Sequence, residues 1–134
     1  MAFEFARNVR DAGLQVVTAL PAQNANSNTA SIDLKVQDYR PENVDVVLSI
    51  PATPSLASGQ TLIAKLQQST DNSTFTDVTA GADSTITGGA SGGAATDFHF
   101  RLPPDCARYI RFNIAMSATA GDNTAVSSTF GLRF

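Results

Sequence analysis

Two side chains could together make a nucleophile and its base: Cys106 and His99, the one cysteine and the one histidine of the chain. A thiol deprotonated by an imidazole can attack a carbonyl carbon, provided the fold brings the two within hydrogen-bond reach. The local pattern argues otherwise. Phe98, Phe100 and Leu102 share one side of an extended chain and His99 falls on the other, so the imidazole is expected to be solvated. Cys106 follows Pro103 and Pro104 at the entrance to the next strand, where a small apolar residue needs no chemical role.

A second group is made of oxygens. Asp71, Asn72 and Asp77 could feed a calcium ion, but their spacing is not that of an EF-hand loop and the carboxylates are too few. One cysteine and one histidine do not make a zinc site either. Gly88 to Gly93 reads Gly-Gly-Ala-Ser-Gly-Gly, without the Gly-Lys-Ser/Thr ending of a phosphate loop, and is expected to be a flexible connection. Asn72-Ser73-Thr74 fits the glycosylation pattern, which matters only in a secreted chain. The expectation is a protein with no catalytic residue, no cofactor and no metal, and so not an enzyme.

The elements that carry these residues are strands. Ile110, Phe112, Ile114 and Met116 alternate with Tyr109, Arg111, Asn113 and Ala115, and Val126, Phe130, Leu132 and Phe134 repeat the device after the polar stretch Ser117 to Thr124. The pair is expected to form a hairpin with one face buried. Further alternating runs lie at Leu14 to Leu20, Ile32 to Val36, Val44 to Ile50, Thr61 to Ser69 and Phe98 to Leu102, with a shorter one around Ile86. Pro21 to Thr29, Asp38 to Asn43 and Pro51 to Gly59 are turns or loops by their proline, asparagine and serine content. Phe75 and Val78 stand three apart rather than two, which suggests a bulge near Asp77. Roughly eight or nine short strands and no helical period predict an all-β fold. The expected form is an antiparallel β-sandwich, and among sandwiches a jelly roll, because long connections suit strands that cross between two sheets.

Length and charge bound the rest. The 134 residues suit one domain, expected over 13–134, preceded by an arm over 1–12. Only 16% of residues are charged, against a usual share of about 25%, so Ser, Thr, Asn and Gln must cover much of the surface. A net charge of −3 with scattered basic residues argues against a nucleic-acid partner. No run approaches the ~20 apolar residues of a membrane span, and the N-terminus lacks the apolar centre of a signal peptide, so no membrane role is expected. On the arm, Phe3 and Phe5 with Arg7 and Arg10 are the candidate contact residues, since exposed aromatic rings gain from docking on a surface.

Three stretches, in this order, carry a resemblance: Thr29-Ala-Ser-Ile-Asp-Leu34, Leu66-Gln-Gln-Ser-Thr-Asp-Asn-Ser-Thr-Phe-Thr-Asp-Val78, and Ala107-Arg-Tyr-Ile-Arg-Phe-Asn-Ile114. Together they resemble the small jelly-roll cement, or decoration, proteins of tailed-bacteriophage heads, over most of the chain from about residue 13 onward. The resemblance implies a protein made in the host cytoplasm that sits on the outside of the capsid in the virion. There it would bridge subunits of the major capsid protein, as a homo-oligomer, with a dimer favoured over a trimer. The middle and last stretches also resemble discoidin-like carbohydrate-binding jelly rolls, which keeps open a sugar-binding module of a phage attachment apparatus. A tail or fibre assembly domain, which would be trimeric, is the third reading.

Overall fold

Side chains that alternate between apolar and polar can satisfy an extended backbone only if one side is buried and the other wetted. The computed structural model describes residues 15–34, 45–78, 84–102 and 106–133, and the strands within them follow that rule. They are β1 (Val16–Ala19), β2 (Asn26–Asn28), β3 (Ile32–Asp33), β4 (Asp45–Ile50), β5 (Thr61–Ser69), β6 (Thr76–Asp77), β7 (Thr85–Thr87), β8 (Thr96–Arg101), β9 (Tyr109–Met116) and β10 (Ser127–Arg133). β9 shows the rule at full length, its even-numbered residues buried and its odd-numbered residues half-exposed.

The strands form two antiparallel sheets, one ordered β1-β10-β4-β8, the other β2-β9-β5-β6 with β3 also on β9 and β7 also on β5. The protein is thus an all-β sandwich. Val46, Leu48, Ile50, Phe130 and Leu132 of the first sheet meet Leu62, Leu66, Ile110, Phe112 and Ile114 of the second in one apolar core. Each of these side chains contributes roughly 1.5 to 3 kcal/mol by leaving water. The Phe112 ring sits edge-on to Phe130 at 4.9 Å and tilted to Phe100 at 5.4 Å, joining the two layers at their centre. Val47 is buried too, on the other side of β4, in register with Gly131 and His99.

Several expectations need correction. The last two long strands are not a hairpin: β9 lies in one sheet and β10 in the other, so Ser117 to Thr124 carries the chain across the core. Both strands bury one face against the other layer, and that pattern looks the same as burial beside a hairpin partner. The expected loop Pro21 to Thr29 contains β2, an Asn-Ser-Asn strand with no apolar signal, recruited by pairing with β9. No bulge explains Phe75 and Val78. β6 pairs with β5 in regular register, Val78 packs on the core, and Phe75 faces outward, so the odd spacing serves two faces. The glycine run is held rather than loose. Gly89 and Gly92 exchange backbone hydrogen bonds, Thr53 and Gly93 do the same, and Gly88 lies against the backbone of Leu56 and Ala57. The arm over 1–12, with Phe3, Phe5, Arg7 and Arg10, lies outside the described residues, as do Lys35 and Val36 at the end of their expected strand.

Candidate functional site

The outward positions of the six-stranded sheet form a continuous polar face with β9 at its centre. Tyr109, Arg111, Asn113 and Ala115 alternate out of β9, and β5 supplies Ile63, Lys65 and Gln67 beside them, Arg111 opposite Gln67 and Asn113 opposite Lys65. On the other side Asn28 of β2 stands opposite Asn113, and Asp33 of β3 opposite Tyr109.

Nearly every polar side chain here is held by another. Arg108 grips Asp33 with both arms of its guanidinium, Nε to Oδ1 at 2.7 Å and Nη2 to Oδ2 at 2.9 Å. Such a fork-to-fork pair fixes direction as well as distance. The Arg111 guanidinium lies 3.8 Å above the Phe75 ring and donates from Nε to Gln67 Oε1 at 2.9 Å. Partial burial there pulls the Arg111 pKa down from its usual value, yet arginine stays charged at any physiological pH. Gln67 Nε2 in turn donates to Asp77 Oδ1 at 3.0 Å, and Asn113 Nδ2 to Asn28 Oδ1 at 2.8 Å. Lys65 and Asp77, 3.9 Å apart and about half exposed, add little.

One irregularity shapes the edge of this face. Asn28 lies opposite Asn113 and Ile32 opposite Ile110, so four residues of one strand span three of the other. The Thr29 hydroxyl fills the gap by accepting from the Phe112 N–H at 3.0 Å. Ser31, just beyond, donates to Asn72 Oδ1 at 2.6 Å and ties this edge to the turn after β5.

That turn, Ser69 to Thr74, is organised by one carboxylate oxygen. Asp71 Oδ1 accepts from Ser69 Oγ at 2.8 Å and from the N–H groups of Ser73 and Thr74, each at 2.9 Å. Asn72 adopts φ +59°, a left-handed conformation that asparagine tolerates. The Thr74 and Ser73 donors, with help from Ser69, lower the Asp71 pKa to about 2 from 3.8. The carboxylate therefore stabilises the folded turn fully above pH 4, and that contribution is lost as pH falls toward 2. Asp71→Ala is expected to lower the urea midpoint at pH 7, and the two proteins should converge near pH 2; parallel midpoints at both pH values would show that the carboxylate does not hold the turn.

Beside the turn is a cleft of about 280 Å³ whose walls include Gln68, Ser69, Asp71, Thr74, Thr76 and Ala107. Two of these lining residues are tied together, the Ala107 N–H donating to Gln68 Oε1 at 3.0 Å. Hydroxyl, amide and carboxylate groups on its walls could bind a polar ligand.

The residues singled out for chemistry lie apart. His99 is exposed on the outer side of the four-stranded sheet, whereas Cys106 is in the core, its thiol directed at the Ala107 carbonyl at 3.4 Å. Asp71, Asn72 and Asp77 share no centre, for each oxygen named above is engaged by a different donor. Among the described residues no three His, Cys, Asp or Glu side chains come together as metal ligands, and no helix is long and apolar enough to cross a membrane. The residues that do pair are Asp33 with Arg108 and Gln67 with Arg111; alternation placed Asp33, Gln67 and Arg111 outward, whereas Arg108 falls in phase with Ile110 and Phe112 at the strand end and carried no signal of its own.

Fold and face together define a β-sandwich with a pre-ordered polar surface on one sheet. No protein-family model matches the chain, and no curated protein matches its sequence.

Proposed function

We propose that this protein is a phage capsid cement protein, a jelly roll that binds the outside of the icosahedral head and bridges subunits of the major capsid protein. One observation carries the reading. The three stretches that hold the resemblance are far apart in the chain, yet they meet at one end of the six-stranded sheet, through Asp33 with Arg108, Ser31 with Asn72, Gln67 with Arg111 and Gln68 with Ala107. The sheet order also supports the jelly-roll reading, since the chain passes from one sheet to the other after β1, β3, β4, β7, β8 and β9.

A bridging protein needs side chains that are already ordered, because each rotamer frozen on binding costs about 0.5 to 1.5 kcal/mol. The cross-linked polar face meets that need. Binding the assembled shell in preference to free subunits stabilises the shell by about 2.7 kcal/mol per site at a free concentration of 100 Kd. Two such faces on one particle add effective concentration, so individually weak contacts hold.

Purified protein mixed with expanded heads should cosediment with them, and absence of cosedimentation with either expanded or unexpanded heads would defeat the proposal. Arg111→Glu should weaken that binding about thirtyfold or more, the scale of an interface hot spot, while leaving the domain folded by circular dichroism. The second reading, a carbohydrate-binding module, draws on the cleft beside Asp71. It is tested by a glycan array, and an array without hits retires it.

A further inference from the structure

Val47 lies on the wrong side of its strand to be buried. β4 sends Val46, Leu48 and Ile50 into the core and Asp45, Val47 and Ser49 to the outer surface of the four-stranded sheet. Asp45 and Ser49 are half-buried, as that position predicts, yet Val47 is only 2% exposed. The strands beside it do not supply the cover. Gly131 of β10, opposite Val47 on one side, has no side chain and is itself buried, and His99 of β8, opposite on the other, is exposed. Burial at this level needs heavy atoms packed against the side chain from outside the sheet. The cover is narrow, because one row along, where Val17, Thr129 and Ser49 lie side by side, Val17 is 67% exposed.

We propose that the N-terminal segment, residues 1–14, folds back over the outer surface of the four-stranded sheet and fills the trough above Gly131 and Val47 with its own apolar side chains. These residues lie outside the described ones and join them at Gln15. Val16 stands opposite Phe130, so continuing the register by one residue sets Gln15 opposite Gly131. The segment therefore leaves the sheet two strand spacings, about 10 Å, from Val47. Gly13 can take the positive φ that a tight reversal requires. Phe3, Phe5 and Val9 fall in one phase of an extended stretch and would face the sheet together. Arg7, the polar residue in that phase, can lay its stem on the sheet and keep its head in water.

The other segments outside the described residues are worse placed. Residues 79–83 join two strands of the other sheet, 103–105 are three residues that must cross the sandwich, and 35–44 must also cross it before entering β4 end-on at Asp45. A strap on the four-stranded sheet leaves the polar face of the six-stranded one as the open surface, and the strap stands whether or not the capsid reading does.

Nuclear Overhauser spectra of the full chain, labelled at the valine methyls, test the contact directly. The Val47 methyls should show cross-peaks to the rings of Phe3 or Phe5 or to Val9. Phe98, Phe100, Phe112 and Phe130 pack in or against the core and Phe75 lies on the other sheet, so none of them can supply such peaks. In a mixture of labelled and unlabelled chains the peaks should arise within one chain. Val47→Cys reads the cover chemically, since Cys106, the one native cysteine, is buried. Its thiol should react with a maleimide at least about tenfold more slowly than that of Val17→Cys, and adding Phe3→Asp, Phe5→Asp and Val9→Asp should remove most of the difference. Three results would each overturn the inference: Val47 cross-peaks only to residues 35–44, to Phe134 or to the sheet's own side chains; cross-peaks that arise between chains; or a Val47→Cys thiol still protected with all three aspartates in place.

Discussion

Phe112→Ala is expected to lower the unfolding free energy by about 3 to 5 kcal/mol, the usual cost of emptying a phenylalanine site in a core. The ring is fully buried and packs against two aromatic rings of the four-stranded sheet, Phe100 and Phe130, on two different strands. Both partners lose an edge or tilted contact, worth about 0.5 to 1.5 kcal/mol each beyond burial. Neighbours held by two hydrogen-bonded sheets can collapse only partly into the space left behind. A domain of this size is stable by about 5 to 15 kcal/mol, so the variant loses a large share of its margin. Urea denaturation should show the midpoint falling with the slope unchanged. A loss below about 1 kcal/mol would mean that the layers are not joined at Phe112. Phe112→Leu, which keeps most of the volume, should cost less than half as much.

Gly92→Ala is expected to cost about 2 to 4 kcal/mol although it adds a single carbon. Gly92 has φ +87°, a conformation that costs a residue with a side chain about 1 to 2 kcal/mol. An added Cβ would also lie 2.3 Å from the Thr53 carbonyl oxygen and 2.6 Å from Pro54 Cα, both backbone atoms that cannot swing aside. Relieving that clash must disturb the paired hydrogen bonds between Thr53 and Gly93, each 2.9 Å long. Gly59→Ala separates the two causes. Gly59 has a similar φ of +78° but nothing within 4 Å of the added carbon, so it should show the conformational cost alone. Equal losses at the two positions in thermal melts would show that the close approach to Thr53 does not matter.

These two sites divide what could be read from the chain and what could not. Period-two alternation is a local property of a strand, and it identified Phe112, Phe130, Leu66 and Ile114 as core residues and placed Arg111 and His99 outward. Nothing local says which strand lies beside which. A strand buried on one face carries the same alternation whether its partner is the next strand in the chain or one far along it. The last two strands therefore looked like a hairpin, and only long-range packing put them in separate sheets. The same limit hid the Asn-Ser-Asn strand, which exists because β9 offers it hydrogen bonds, and made the glycine run look loose when Thr53 and Leu56 hold it from 30 or more residues away.

The polar face followed the same division. Asp33 and Arg108 were each legible as outward or strand-end residues, but their bidentate contact across 75 positions was not. The sequence by itself determined the β class, the core side of each long strand and the polar character of what remains outside, because these depend only on neighbours two positions apart. The tertiary structure decided the sheet order and the pairing of Asp33 with Arg108 and of Gln67 with Arg111. Those depend on which surfaces fit once the chain has doubled back, and no window of adjacent residues contains that information.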